Sequence, residues 1–292
     1  MEQRNTSTIP NPEPIPVAMT VAGSDSGGGA GIQADLRTFT ACGVFGTSAI
    51  TAVTSQNPRE VVRVDELPPE AVRSQIETVF KELNIRAVKT GMLFSAPVIA
   101  AAAESLAGRK CPLVVDPVMV STSGMKLLRD DALALLQEKI LPLADWITPN
   151  IPEAELLSGL RIDSMKAVVR AAEAIAAKWD TCVVVKGGHA DGDPEAADVV
   201  CTTERTLKLT TPRLATAPLT AHGTGCTFSA ALTAALAKGL DDLHALIEAK
   251  AFVLGSLAEA RAIGRPGPNM LSGMFPPADP SVYQSKILLG KI

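Results

Sequence analysis

The run Val17-Ala18-Met19-Thr20-Val21-Ala22-Gly23-Ser24-Asp25-Ser26-Gly27-Gly28-Gly29-Ala30-Gly31-Ile32-Gln33-Ala34-Asp35 decides the fold class. Val17–Ala22 has the length and apolar character of a buried strand. The glycines between 27 and 31 make a turn, and Ile32–Ala41 follows as a helix. A strand that passes straight into a helix is the first half of a βαβ unit, and the same alternation runs through the rest of the chain. Further strands are expected at Phe45–Thr54, Val61–Glu66, Ala87–Thr90, Leu113–Asp116, Trp146–Thr148 and Val183–Lys186. Helices are expected at Pro69–Leu83, Ala96–Leu106, near Asp131–Lys139, at Pro152–Leu157 and at Ser164–Lys178. Ala197–Thr202 with Leu207–Thr210 reads as a hairpin, and helices Gly225–Ala237 and Leu243–Arg261 precede a Pro/Gly-rich tail. Near-continuous apolar strands alternating with helices predict an α/β fold with a mostly parallel sheet covered on both faces. In such sheets ligands bind beyond the carboxyl ends of the strands.

Composition narrows the function. The 292 residues are 47% hydrophobic but only 3% aromatic, so the core is aliphatic and Ala-rich. A formal charge of −4 without a basic, aromatic-interleaved patch argues against nucleic acid as a partner. Five scattered cysteines with no C-x-x-C pair read as reduced thiols, neither a disulfide framework nor a zinc site. No apolar run approaches the roughly 18 residues of a membrane span. Residues 1–16 carry four prolines and no apolar core and are expected to be a disordered arm; residues 17–292 are expected to form one domain, soluble and cytoplasmic.

The chemically loaded residues all fall at expected strand ends. Gly29-x-Gly31-x-x-Ala34 matches a dinucleotide fingerprint, yet the acidic residue that should end the second strand is missing; Ser55-Gln56-Asn57-Pro58 stands there instead. The glycines then read as a tight lid over a small molecule, with Asp35 one turn into the helix. Gln56 offers donor and acceptor to an amino-substituted heteroaromatic ring, although a polar strand end needs no such role. Lys89-Thr90-Gly91-Met92 ends a strand with close backbone access and a thioether suited to a flat ring, or simply to core. Asp116 follows an apolar strand and suits either a turn or a magnesium water shell. Asn150-Ile151-Pro152-Glu153 has capping-box spacing and also places a carboxylate at a helix start. Lys186-Gly187-Gly188-His189 puts a cation and two glycines at another strand end, where nucleotide phosphates could lie. In His222-Gly223-Thr224-Gly225-Cys226-Thr227 a glycine turn opens an Ala-rich helix, so its amides form an anion site with a thiol inside it. Placed there, Cys226 is expected to have its thiolate form stabilised; a plain turn–helix junction with a small buried Cys is the alternative. No G-x-x-x-x-G-K-[ST] loop, G-x-S-x-G elbow or H-E-x-x-H site is present.

Taken in order, these runs resemble the hydroxymethylpyrimidine/phosphomethylpyrimidine kinases of thiamin biosynthesis, over about Val17 to Arg261. The resemblance implies a ribokinase-like three-layer α/β sandwich, usually a homodimer, that uses ATP and Mg2+ to phosphorylate an aminopyrimidine alcohol and then its monophosphate. It also implies that Gly23, Asp35, Gln56, Met92 and Val118 line the pyrimidine site. Cys226 would be the catalytic residue, with Thr224 and Gly225 supplying anion-hole amides. Asp116, Asn150 and Glu153 would organise magnesium and the nucleotide phosphates, and Lys186 would lie on the ATP side. Most ribokinase-like sugar kinases carry Asp where this chain has Cys226, which favours the pyrimidine and pyridoxine branches. Ser26-Gly27-Gly28-Gly29 departs from the commoner Pro-Ser-Gly-Gly spelling, a change expected to alter loop stiffness rather than chemistry. The alternatives are a pyridoxine/pyridoxal kinase, against which Gln56 argues, an NAD-dependent oxidoreductase, and a non-catalytic pyrimidine sensor.

Overall fold

The computed structural model describes residues 14–120, 124–129, 131–187, 194–215, 222–263 and 272–291. Most of the expected arm, and Gly188 and His189, lie outside these residues. Strands β1 (Val17–Asp25), β2 (Phe45–Asn57), β3 (Glu60–Glu66), β4 (Ile85–Thr90), β5 (Leu113–Val115), β6 (Trp146–Ile147), β7 (Cys182–Val185), β8 (Glu195–Cys201), β9 (Thr206–Pro212) and a C-terminal β12 (Leu288–Lys291) form one sheet. A separate two-stranded pair joins β10 (Arg261–Ala262) to β11 (Ser272–Gly273).

The sheet order is β12-β9-β8-β7-β6-β5-β4-β1-β2-β3. β1 pairs in parallel with both β2 and β4, and the run β4-β5-β6-β7 is parallel throughout. Antiparallel strands flank it on both sides. The chain therefore winds one way from β1 through β2 and the other from β1 through β4. That reversal leaves a crevice at the carboxyl ends of β1 and β4, where open α/β sheets bind ligands.

Helices cover both faces. α2 (Pro69–Glu82), α3 (Ala96–Leu106), α4 (Ala132–Leu135), α5 (Ile151–Ser158) and α6 (Met165–Trp179) bury an aliphatic core against one face. α1 (Gly31–Ala41), α7 (Thr224–Ala237) and α8 (Asp242–Ala258) lie on the other. α7 is buried almost all round because its small Ala, Ser and Thr side chains let α1, α8 and the sheet approach together. This is the expected three-layer sandwich.

Two segments differ from the sequence expectation. The helix near Asp131–Lys139 starts as α4 but continues as a π-helical turn over Leu136–Ile140. The Pro/Gly-rich tail is not featureless: a short α9 (Ser281–Gln284) seats Tyr283 against Gly255, and β12 then closes the β9 edge of the sheet. Pairing with an existing edge gives a four-residue strand a stability it lacks alone, so the local sequence carries little warning of it. No helix among the described residues is long and apolar enough to cross a membrane.

Candidate active site

One cavity of about 810 Å³ lies along the carboxyl ends of the parallel strands. Its acceptor end is built on β1 and β2. The β1–β2 register shifts between Ala22 and Ser24, a bulge that turns Gly23 toward the cavity. A Cβ on Gly23 would come within 2.9 Å of Met92 Cε, so the glycine is what lets the thioether lie across the strand end. Met92 is held in an apolar patch with Ala52 and Leu127, against which Val118 packs. Gln56 completes this end, its Oε1 accepting a hydrogen bond from Thr54 Oγ1 at 3.2 Å. Gly23, Gln56, Met92 and Val118 thus share one pocket wall.

Asp35 does not join them. It is fully buried beneath the cavity, where its Oδ2 accepts hydrogen bonds from Thr20 Oγ1 (2.7 Å) and Lys89 Nζ (2.9 Å). The expectation that Asp35 lines the pyrimidine site is therefore corrected: an apolar interior tolerates this carboxylate only because a cation has been drawn in beside it. Lys89 is the residue of that pair that reaches the cavity. A lysine inside a strand buried on both faces is itself a signal of a partnered charge.

The glycine-rich turn is already satisfied from within. Asp25 Oδ1 accepts the Gly27 amide (2.7 Å), and Oδ2 accepts those of Gly29 (3.0 Å) and Ala30 (2.8 Å). Amides occupied by an internal carboxylate are not a free pyrophosphate cradle, which removes the physical basis for a dinucleotide site. His222 Nε2 lies 3.6 Å from Asp25 Oδ2, and this docks the turn against the segment leading into α7.

α7 begins in the middle of the cavity. Gly223 sits before it in the left-handed region (φ 84°), and no side chain caps the helix. The start of α7 therefore keeps its positive end for a ligand. A Cβ on Gly225 would lie 3.2 Å from Lys186 Nζ, so this helix start faces the cation at the end of β7. Thr224, Gly225 and Cys226 all line the cavity. Cys226 is half-buried at its wall, with its sulfur enclosed by protein. The surroundings of Cys226 oppose the thiolate expected there. Burial pushes the Cys226 thiol up to about 11; the neighbouring Lys89 opposes the rise, while Asp35 and Asp116 add to it. Burial is the largest cause of the rise.

The charged end is compact. Lys186 Nζ lies 2.8 Å from Asp116 Oδ1, and Ser229 donates to Asp116 Oδ2 at 3.2 Å. Burial alone would raise the Asp116 carboxyl, but Lys186 and Lys89 hold it below its ordinary range. Asn150 and Glu153 form the capping box: Asn150 Oδ1 accepts the Glu153 amide and Glu153 Oε2 accepts the Asn150 amide, each at 2.9 Å. Burial raises the Glu153 carboxyl to about 7, Lys186 restraining the rise and Asp116 adding to it. Among the described residues no group of three His, Cys, Asp or Glu side chains forms a metal cage. The carboxylates of Asp116 and Glu153 instead suit magnesium in its usual nucleotide mode, where water and phosphate oxygens fill most of the shell.

The cavity is also lined by the apolar residues Phe228, Val253, Leu254 and Leu257 of α7 and α8 and by Pro212 and Leu214. A buried pair, Lys250 Nζ to Asp198 Oδ2 at 2.6 Å, borders it, and Asp198 also accepts the Gly187 amide. Neither charge was singled out from the sequence, because their contact spans 52 positions.

Comparison with known proteins matches this architecture. The family model described as phosphomethylpyrimidine kinase matches residues 25–269. The hydroxymethylpyrimidine/phosphomethylpyrimidine kinase of Rhizobium meliloti is 48% identical over 244 residues, covering 83% of this chain and 91% of that protein. A solved phosphomethylpyrimidine kinase from Clostridium difficile superposes with TM-score 0.72 at 40% identity, covering 82% of this chain and 97% of the other. The Staphylococcus aureus pyridoxal kinase, solved with AMP-PCP and pyridoxal, superposes with TM-score 0.82 at 31% identity, covering 96% and 100%. With its ribokinase-like fold, its uncapped α7 start and a match across most of its length, the chain belongs to the phosphomethylpyrimidine kinase family and is a phosphotransferase.

Proposed function

We propose that the chain transfers the γ-phosphoryl group of ATP first to the hydroxymethyl oxygen of hydroxymethylpyrimidine and then to the phosphate of the resulting monophosphate, in thiamin biosynthesis. One observation carries this: a single cavity is lined by Gly23, Gln56, Met92 and Val118, by Lys186 and apolar side chains of α7 and α8, and by the start of α7, which has no side-chain cap.

Phosphoryl transfer depends chiefly on alignment and on neutralising charge on the moving group. The amides that open α7, including those of Gly225 and Cys226, would face its equatorial oxygens. Lys186, kept charged by Asp116 despite burial, would balance the nucleotide phosphates. Asp116, Asn150 and Glu153 would hold magnesium through water, and the ion would supply charge neutralisation on the phosphates. In the first step the acceptor oxygen forms a bond to the γ-phosphorus as the bridging P–O bond breaks, and ADP leaves with that electron pair. The hydroxyl proton passes to the Cys226 sulfur, which must therefore be anionic in the loaded complex. In the second step the acceptor is already an anion and needs no proton acceptor.

A homodimer and a cytoplasmic setting accord with the family and with the reduced-thiol composition. The test of the whole assignment is ADP release with hydroxymethylpyrimidine and, separately, with its monophosphate, products being identified by mass. Turnover of neither substrate would overturn it. The superposition on the Staphylococcus aureus enzyme favours one second activity, phosphorylation of pyridoxal, which also carries a hydroxymethyl arm. The ratio of kcat/KM for the two alcohols decides between them.

A further inference from the structure

Lys186 is tied down through its own amide, its side chain and its neighbour. Its amide donates to the Pro149 carbonyl at 2.9 Å, and its Nζ lies 2.8 Å from Asp116 Oδ1. The next amide, that of Gly187, donates to Asp198 Oδ1 at 3.0 Å. The β7–β8 ladder ends where Val185 pairs with Val199, and one step further in that register Lys186 would stand opposite Asp198. At that point a side-chain carboxylate, not a ladder carbonyl, takes the following amide. Only glycine fits there, because a Cβ on residue 187 would run into the Ala197 carbonyl oxygen.

The other oxygen of that carboxylate pairs with Lys250 Nζ of α8 at 2.6 Å, and the two side chains are only 5% and 9% exposed. Both residues line the cavity, yet neither has a part in the phosphoryl transfer described above. Taking two charges out of water costs about as much as their pairing returns, so stability is a weak reason for such a pair. Its geometry offers a better one. Lys186 and Asp198 follow one another along the cavity, and each has its own opposite charge: Asp116 for the first, Lys250 for the second. We propose that Asp198, compensated by Lys250, is a positioning residue for Lys186: it fixes the main chain after β7 so that the Lys186 ammonium meets the nucleotide phosphates at the start of α7. A Cβ on Gly225 would lie 3.2 Å from that ammonium, so the approach is close and a displacement of about 1 Å is enough to spoil it. This deepens the role given to Lys186 above and rests on it.

The decisive experiment separates the acceptor oxygen from the charge. D198N/K250M removes both charges but keeps a side-chain oxygen for the Gly187 amide, whereas D198V/K250M removes that oxygen as well. Binding of AMP-PCP with magnesium to the full-length proteins is measured by calorimetry, and KM for ATP and for hydroxymethylpyrimidine by ADP release. D198V/K250M is expected to bind AMP-PCP about five- to tenfold more weakly than D198N/K250M, with a matching rise in KM for ATP, since one part-buried amide has lost its partner. KM for hydroxymethylpyrimidine and Tm should differ little between the two. Equal affinities for AMP-PCP would overturn the proposal. So would parallel losses for ATP and the pyrimidine together with a lower Tm, which would leave the pair a role in the fold alone. If D198V/K250M does not fold, D198A/K250M, smaller at the same position, answers the same question; failure of both to fold would likewise assign the carboxylate to the fold and overturn the proposal. Were the wild type to turn over neither pyrimidine while AMP-PCP still separated the two variants, the activity assigned above would fail and the positioning of Lys186 would stand.

Discussion

Lys186 Nζ sits 2.8 Å from Asp116 Oδ1 and so ties together the ends of two strands that β6 separates. The contact does two jobs. It compensates a carboxylate that is 3% exposed, and it aims a cation at the start of α7, where Gly225 approaches Lys186 Nζ. K186M is expected to lower kcat for both phosphorylations by about 10²- to 10³-fold, the range for losing one preorganised charge at a transferring group. Because the variant also leaves Asp116 buried and unpaired, D116N/K186M should regain thermal stability without regaining activity. A wild-type kcat in K186M for both steps would show that Lys186 serves the fold alone.

The two kinase steps differ in one proton, and Cys226 should separate them. C226A is expected to slow phosphorylation of the alcohol by about 10²-fold or more, within the usual range for loss of a general base, and to slow phosphorylation of the monophosphate far less. The measurement is kcat for each step with purified acceptors. Equal losses would reduce Cys226 to a positioning role. With burial pushing the thiol up to about 11, the thiolate fraction, and with it alkylation of Cys226, should rise steadily from pH 7 to pH 10.

Gly223 and Gly29 meet backbone to backbone: a Cβ on Gly223 would lie 1.9 Å from the Gly29 carbonyl oxygen, at a φ of 84° that side chains disfavour. G223A must therefore push the glycine turn away from α7. Strain and displacement together are expected to cost about 1–3 kcal/mol at the loop. Because α7 itself is anchored along most of its length by burial, the fold should survive while kcat/KM for the pyrimidine falls by at least about tenfold. A wild-type KM and kcat in G223A would show that the two loops act independently.

Which parts of this were readable from the chain follows from the range of the forces involved. The βα alternation, the α7 start and the Asn150–Glu153 box are local patterns, and the structure shows each within a few residues of its expected place. Gly23, Gln56, Met92 and Val118 cluster because strand ends of a parallel sheet converge, a rule that needs no coordinates. Asp35 was misplaced because its partner is 54 positions away, and only the fold reveals that Lys89 has drawn it under the cavity. The Cys226 thiol was misjudged for a related reason: the helix start that lowers its pKa is visible in sequence, whereas the burial that raises it is not. β12 escaped notice because an edge strand takes its stability from a neighbour 78 residues earlier, Thr210 pairing with Leu288.

Gln56 is where substrate choice should be tested. It lines the same cavity as Met92 and Val118. Q56M keeps the volume and removes the polar partner of a ring amino group. The expected result is a fall of about 10- to 100-fold in kcat/KM for hydroxymethylpyrimidine, the loss of one to two hydrogen bonds in a buried site. Pyridoxal, which lacks that amino group, should be affected much less, so the ratio of the two specificities moves toward pyridoxal. Parallel losses for both substrates would assign Gln56 to the loop through its backbone bonds with Ser26, and not to recognition.

Glu153 supplies a pH signature that can be read without substrate. Its carboxyl has an ordinary value of 4.5 and stands at about 7 in the fold, raised mainly by burial. The unfolded chain gives up this proton first, so between those two values the folded state binds more protons than the unfolded one. Stability therefore falls as pH rises through this window, by up to about 3 kcal/mol if nothing else titrates with it. Below pH 4 both states are protonated and the contribution is fully present; above pH 8 both are ionised and it is gone. E153Q keeps an acceptor for the Asn150 amide, and hence the capping box, while removing the titration. In metal-free buffer, denaturant unfolding of the wild type should lose stability from pH 5 to pH 7, and E153Q should be flatter over that range and more stable than wild type at pH 8. If the two proteins instead ran parallel across the whole range, Glu153 would have to be ionised in the fold already at pH 5, with Lys186 compensating its burial in full.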